Sequence, residues 1–489
     1  MNKQITHVGV AALVLLTALI VGTTYWQTWA NAGLADRQDN AIRLVAQFSV
    51  KRGKIYAADG KTVLARNVVV KRNGQTLYFR RYPTGPLFSD VVGYSTRTRN
   101  QTGIERSYND YLTGSNANLD TVFHATIDKL KGTTIKGNNL VLTLRPGVQA
   151  LALRELRGKC GAVVALDPRS GAVLTMASSP AYNPNLIEKH FARAARSGGN
   201  CGALVNRAIA GRYQPGSTFK VVTATAALNS GKFTPNSTFS DPGYCEEYGQ
   251  KVRNAGNPEA PEAFGNVTLF QGLEHSINSV FCNVGKAIGA GLILDYAKRF
   301  GFYKTPPLEL PENEMAASGL YNRGRLFSPR HPETQVDPGR LAFGQERLQV
   351  TPLQMAMVAA TVANHGVLMK PYLVQRVLAP GGKAIVRTRP RRYARVMSPQ
   401  VASELNAMMQ AVVTGGTGPA AAIPGIPVAG KTGTAETGRG DIYTAWFIAF
   451  APANNPRVAI AVVVENQPGG FGGKVSAPIA KDVMEALLR

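Results

Sequence analysis

From Val8 to Trp26 the chain runs for 19 consecutive residues without a charged side chain. In hydrocarbon, backbone N–H and C=O groups can bond only to one another, so a run of this kind has to be helical. About 20 residues at 1.5 Å each cover a ~30 Å layer. Lys3 marks the inner side, and Tyr25, Trp26 and Trp29 mark the outer side, where amphipathic rings settle. The competing reading is a cleaved signal peptide, because Ala30-Asn31-Ala32 fits an A-x-A cleavage site. Such peptides usually carry only ~7 to 15 apolar residues, so length favours an uncleaved anchor. On either reading the bulk of the chain is exported.

The 489 residues, 44% of them hydrophobic, suffice for about two to four folded units. The expected division is a tail over 1–7, a membrane anchor over 8–29, a small β-containing unit over 30–140 and a main domain over 141–489. Ala30 to Asn40 reads as a linker. Short β-rich runs come next (Thr62 to Leu64, Val68 to Val70, Leu77 to Arg81), with turn signals at Asp59-Gly60 and Asn73-Gly74. Leu140 to Leu144 reads as a strand and Pro146 to Arg157 as a helix. Gly161 to Asp167 and Ala172 to Ser178 form a hairpin pattern. Thr218 to Leu228 is small and apolar around most of its circumference, which suits a buried helix. Ala445 to Ala451 and Val458 to Glu465 form a second hairpin, and Ala477 to Leu488 an amphipathic helix preceded by Ser476. Early and late hairpins with helices between them predict an α+β domain whose sheet gathers both. Lys383 to Arg395 reads as a basic, solvated loop.

Fifty-five basic against 30 acidic residues leave a net charge of +25. That predicts attraction to a polyanion without distinguishing nucleic acid, anionic lipid and wall polymer. Cys160, Cys201, Cys245 and Cys282 are too few for a disulfide scaffold and lack C-x-x-C or Cys/His spacing. In an oxidising compartment, up to two bridges among three pairings remain open, as do buried free thiols. Cys282 reads as packing. Six histidines lie singly, so neither a metal nor a cofactor is expected.

Ser217-Thr218-Phe219-Lys220 follows the turn signal Tyr213-Gln214-Pro215-Gly216, at the start of the apolar helix. Three residues is close to one helical turn, which places Lys220 within reach of the Ser217 hydroxyl. A serine is a poor nucleophile until a base takes its proton, and a lysine serves only if burial lowers its pKa. The helix start also exposes N–H groups able to hold an oxyanion. Ser276-Ile277-Asn278 comes 59 residues after Ser217, and Lys431-Thr432-Gly433-Thr434 comes 153 residues after Asn278. A second hydroxyl can relay protons, an amide can hold a substrate amide, and a lysine with two hydroxyls can grip a carboxylate. A side chain at Gly433 would obstruct a substrate laid along the strand.

These three motifs together resemble those of the class B penicillin-binding proteins, particularly the smaller actinobacterial-type enzymes of cell division and elongation. The likeness spans nearly the whole chain: the anchor, Arg52-Gly53-Lys54-Ile55, Gly103-Ile104-Glu105, Gly161 to Asp167, Tyr213 to Lys220, Ala429 to Glu436 and Ala445-Trp446-Phe447. It implies a penicillin-binding, serine β-lactamase-like transpeptidase domain, an antiparallel sheet between helices, on an N-terminal pedestal. Ser217 would be acylated by the penultimate D-alanine of a stem peptide ending in D-Ala-D-Ala, and a neighbouring amine would complete the cross-link. Lys220 and Ser276 would handle protons, and Asn278 would contact substrate. Lys431, Thr432 and Thr434 would bind the terminal carboxylate, and the N–H groups of Ser217 and Thr434 would form the oxyanion hole. The resemblance further implies β-lactam inhibition, residence in the cell membrane and a separate glycan-polymerising partner of the SEDS type. Ile277 departs from the small or polar residue common at its position, but its side chain has no chemical task.

Gly425 to Thr432 also satisfies the phosphate-binding pattern G-x-x-x-x-G-K-[ST]. That loop needs a helix directly after it, which Gly433, Gly438 and Gly440 would break, and only 57 residues come after Thr432. A nucleic-acid binder would explain the charge, but no such motif is present. A D,D-carboxypeptidase, a β-lactamase or a non-catalytic β-lactam sensor would share the same site.

Overall fold

In the computed structural model, residues 2–25, 48–72, 75–97, 99–116, 134–255 and 262–489 are described, with 122 and 126 as isolated positions. The expected linker, Trp26, Trp29, the A-x-A site and the Asn73-Gly74 turn lie outside them. Helix α1 (Asn2–Thr24) has a mean hydropathy of 2.0 over Thr6–Thr24 and none of that window is buried against the rest of the chain. It therefore has the length and the apolar surface that a bilayer crossing needs.

Beyond α1, two sheets organise the chain. The first holds β1 (Ile55–Tyr56), β2 (Val63–Arg72), β3 (Gln75–Arg81) and β4 (Asn139–Leu142). The expected runs at 62–64 and 68–70 are parts of one strand, β2, which pairs antiparallel with β3 from Arg66↔Arg81 to Arg72↔Gln75. The second sheet contains β5 (Gly161–Leu166) and β6 (Val173–Ser179). A small hairpin, β7 (Tyr244–Glu247) and β8 (Gln250–Arg253), and strand β9 (Val367–Met369) stand apart from both. Strands β10 (Val374–Leu378) and β11 (Ala384–Arg387) then return to the first sheet, in the order β11-β10-β4-β1-β2-β3. Strand β12 (Arg392–Arg395) pairs with β9. The expected basic loop is thus two strands, because β-branched Ile385 and Val386 find a partner in β10, to which β11 adds as a hairpin. The second sheet closes with β13 (Ala429–Arg439), β14 (Ile442–Ala451) and β15 (Val458–Pro468), in the order β13-β14-β15-β5-β6. Early and late hairpins share one antiparallel sheet, giving an α+β architecture.

The period-2 alternation of β14 explains why this sheet is covered on both faces. Trp446, Ile448 and Phe450 enter one apolar core, and Phe447, Ala449 and Ala451 enter the other. Helices α2 (Pro146–Glu155) and α8 (Gly472–Leu488) cover the second face. Helix α8 begins before the expected position, and Ser476 is not its cap. Ser476 lies inside the helix and donates its hydroxyl to the Ala445 carbonyl at 2.9 Å. The first core contains α4 (Lys220–Asn229), α5 (Asn278–Arg299) and α6 (Pro352–Ala363); α3 (Ile187–Arg196) lies outside both cores. α7 (Pro399–Thr414) carries an N-cap in which Ser398 Oγ accepts from Val401 N–H.

The Arg52 and Glu105 motifs meet in the interior of the first unit. Glu105 accepts from Arg80 Nε at 2.6 Å and from Arg52 Nη2 at 3.0 Å, with all three side chains essentially unexposed. Burial pushes the Glu105 carboxyl upward, but Arg80 and Arg52 outweigh it and hold the pKa below the ordinary value. Glu105→Gln leaves two buried guanidinium groups without a counter-charge. The expected stability loss is about 3–5 kcal/mol in a denaturant titration; a loss below about 1 kcal/mol would place the network energetically at the surface.

Candidate active site

Gly216–Phe219 forms a 3₁₀ turn, and the α-helix starts only at Lys220. Gly216 has φ +50°, and a Cβ there would lie 2.6 Å from the Thr434 carbonyl oxygen, so glycine is required for the turn to meet β13. The turn is fixed from outside. Gly216 N–H donates to Gly344 O at 3.1 Å, and the Trp446 indole donates to Gln214 O at 3.0 Å. Tyr213 O–H and Arg207 Nε both donate to Glu465 Oε1, at 2.7 and 2.8 Å. Ser217 at the centre of the turn is half-buried. Among the described residues, its side chain makes no hydrogen bond.

Lys220 is fully buried. Its Nζ donates to Ser276 O at 2.7 Å and to Asn278 Oδ1 at 2.7 Å, and lies 3.4 Å from Ser276 Oγ. Burial, and next the nearby Lys431 ammonium, push its pKa well below the ordinary lysine value. Lys431 is likewise fully buried on β13 and donates to Ser276 Oγ at 2.8 Å and to Thr432 O at 3.1 Å. Burial lowers its pKa to about 7. Ser276 thus stands between two lysines that are 211 residues apart in the chain. It does so in a left-handed conformation, φ +60°, which costs a non-glycine residue on the order of 1 kcal/mol or more. Ile277, 1% exposed, anchors this strained residue in the core, which gives the unusual apolar side chain a packing reason.

Asn278 opens α5 and bridges, accepting from Lys220 and donating through Nδ2 to Arg253 O at 3.0 Å. The neighbouring Ser279 is held by Asp241, Oγ to Oδ1 at 2.6 Å, and by Asn254. Cys245 and Cys282 form a disulfide joining β7 to α5, and Cys160 and Cys201 form a second one. Cys282 packs in the first core, as expected, and is also cross-linked, because the β7–β8 hairpin folds back over the first turns of α5.

Strand β13 is an edge strand, and the serine turn lies against it, Gly216 beside the Thr434 carbonyl. Thr432 Oγ1 meets Thr417 Oγ1 at 2.6 Å, and Thr434 Oγ1 accepts from Gly472 N–H at 3.3 Å. The space beside Gly433 is not reserved for substrate, as the sequence suggested. A Cβ there would lie 2.8 Å from both Pro215 O and Thr218 Cγ2, so glycine lets the strand close on the serine turn. Lys431 and Thr432 lie within a strand that is followed directly by another strand, β14, rather than by a helix, which removes the phosphate-loop reading. Sequence reasoning missed Arg207, Glu465 and Thr417, and it named Tyr213 and Trp446 within motifs without a supporting role. Their partners lie up to 258 residues away, and no local pattern signals them.

A two-sided antiparallel sheet whose edge strand supplies one buried lysine, beside a serine turn that leads into a helix opening on a second, defines an active-serine, penicillin-recognising class of protein. Residues 161–485 match the penicillin-binding protein transpeptidase domain, and residues 52–140 match the penicillin-binding protein A dimerisation domain. The chain belongs to the class B penicillin-binding transpeptidases. It is 35% identical to the peptidoglycan D,D-transpeptidase PbpA of Mycolicibacterium smegmatis, over 100% of this chain and 99% of the relative. It is 30% identical to the peptidoglycan D,D-transpeptidase FtsI of Escherichia coli, over 84% of this chain and 67% of that one. Among solved structures it is similar to the ceftriaxone acyl-enzyme of penicillin-binding protein A from Mycobacterium tuberculosis. The TM-score is 0.81 at 33% identity, covering 91% of this chain and 100% of that one.

Proposed function

We propose that this chain is a membrane-anchored peptidoglycan D,D-transpeptidase that works through an acyl-enzyme on Ser217. One observation carries the reading: two buried lysines converge on Ser276, one of them the residue directly after the serine turn. A neutral Lys220 amine has two N–H donors, which Ser276 O and Asn278 Oδ1 occupy. Its lone pair is left for the Ser217 proton.

Ser217 Oγ attacks the carbonyl of the penultimate D-alanine and gives its proton to Lys220. The N–H groups of Ser217 and Thr434 hold the oxyanion. Ser276 passes a proton to the departing amine, the C–N bond breaks and D-alanine leaves. The accepting amine of a second stem peptide then attacks the ester, its proton returns through the same pair, and the Ser217 hydroxyl is restored. Asn278 orients the donor peptide, while Lys431, Thr432 and Thr434 hold its terminal carboxylate. A β-lactam enters the same path and stops at the ester. The similarity of this chain to the β-lactam acyl-enzymes supports that last step.

The division into 1–7, 8–29, 30–140 and 141–489 belongs to the same reading, with α1 crossing the cell membrane once and the catalytic domain outside. The two family matches support the last two units. Glycan polymerisation falls to a membrane partner of the SEDS type. Mass spectrometry after incubation with a stem-peptide mimic and an acceptor amine tests the activity. The expected product is the cross-linked peptide. Hydrolysed peptide alone would make the chain a carboxypeptidase, and a stable β-lactam adduct with no peptide turnover would make it a sensor. Lys431→Ala is expected to weaken acylation about tenfold or more for ligands bearing a carboxylate, a charged hydrogen bond being worth ~1.5–3 kcal/mol. Equal losses for a carboxylate-free analogue would remove Lys431 from that role.

A further inference from the structure

Acyl transfer makes no use of the 13 residues from Lys383 to Arg395, which carry Lys383, Arg387, Arg389, Arg391, Arg392 and Arg395 and no acidic residue. All six basic side chains are exposed. Their backbone is nevertheless fixed. Thr388 donates its N–H to Gln375 O at 3.0 Å and its hydroxyl to Val374 O, and Arg391 O accepts from Lys370 N–H at 2.8 Å. Strand β11 forms one edge of the six-stranded sheet.

The arrangement is electrostatically unfavourable in isolation. Arg387 faces Arg376 directly across the β10–β11 ladder, and like charges in that position destabilise a pair of strands. Arg376 Nε is buried without a hydrogen-bond partner among the described residues. Among the described residues, Arg376, Arg387, Arg389, Arg391 and Arg392 form no ion pair with a carboxylate. An uncompensated row of arginines on a fixed backbone loses little further entropy on meeting an anion.

We propose that this arginine-rich ribbon, from the edge strand β11 through the connection to β12, binds a linear phosphodiester polymer outside the cell. Five of the six cations are arginine, whose planar fork matches phosphate in a bidentate way that lysine cannot. Arg387, Arg389 and Arg391 recur at every second position from the end of β11 into the connection to β12. Pro390 biases Arg389 toward an extended conformation. A bilayer surface fits less well. Docking on lipid uses exposed apolar side chains, and within the ribbon only Tyr393, 36% exposed, reaches the surface as a large apolar group. The inference rests on the membrane topology proposed above, which places the ribbon outside the cell, and not on the acyl-transfer steps.

The test uses the full chain in uncharged detergent with poly(glycerol phosphate) as the probe. Wild-type binding is expected to weaken steeply with salt. Replacing Arg387, Arg389, Arg391 and Arg392 together by Gln should weaken it at least tenfold and flatten the log–log salt slope by about 3, at ~0.7 per cation for a flexible polyanion. The same four changed to Lys should keep the slope and lose affinity. A control with equal charge loss, Arg99, Lys189, Arg193 and Arg196 changed to Gln, should alter binding less than threefold. Labelling of every variant by a fluorescent penicillin should match wild type, which verifies folding. The proposal fails if the control weakens binding as much as the ribbon variant, or if the Gln ribbon variant binds as tightly as wild type. It fails equally if wild type binds phosphatidylglycerol vesicles and not the soluble polymer.

Discussion

Ser217→Ala is expected to give a folded protein that forms no covalent adduct with any β-lactam and no cross-linked peptide. The loss should be on the order of 10⁶ in turnover, the scale seen when a serine enzyme loses its nucleophile. Folding should survive because the turn is held by Gly216, Gln214 and Tyr213 through backbone and neighbouring groups, and the Ser217 side chain takes no part. Intact-protein mass spectrometry reads the outcome directly. An adduct on the alanine variant equal in amount to wild type would place the nucleophile elsewhere.

Lys220→Ala should lower the acylation rate by about 10²- to 10⁴-fold, the usual contribution of a general base. The sign of the pH dependence comes from the two lysines. The Lys220 pKa is lowered, first by burial and then by the Lys431 charge, so acylation by wild type rises with pH as Lys220 sheds its proton. Lys431 loses its charge at about 7, so its grip on a carboxylate weakens above that value. The expected profile is a bell whose limbs belong to the coupled pair. Lys220→Ala should remove the rising limb. Lys431→Ala should shift that limb to higher pH, because one of the two causes depressing Lys220 has gone. Stopped-flow acylation across pH 5 to 10 checks both expectations. A rising limb that persists unchanged in Lys220→Ala would assign the base to another group.

The supporting residues show where reading the chain falls short. The helix after Ser217 and the hairpin of β14 and β15 could be placed because apolar patterning is a local property. The 3₁₀ start of the former, the strands inside the arginine-rich stretch and the entry of Ser476 into α8 could not. The first and last depend on partners remote in sequence, β13 for the turn and the Ala445 carbonyl for Ser476, while β11 depends on its hairpin neighbour β10 and β12 on β9. The assignment of Gly433 to substrate clearance erred for a related reason. The residue lies against Pro215 and Thr218, and only the packed structure reveals which neighbour occupies the space.

Residue types and their local order were enough to specify an apolar anchor, a hydroxyl one helical turn from a lysine, and two hairpins able to share a sheet, since each of these rests on chemistry within a few bonds. Tertiary structure alone decided that Ser276 separates two buried lysines, that the four cysteines pair as two cross-links, and that the arginine-rich stretch is divided between strands of two different sheets. Desolvation and proximity set those outcomes, and both come into being only when distant segments pack together.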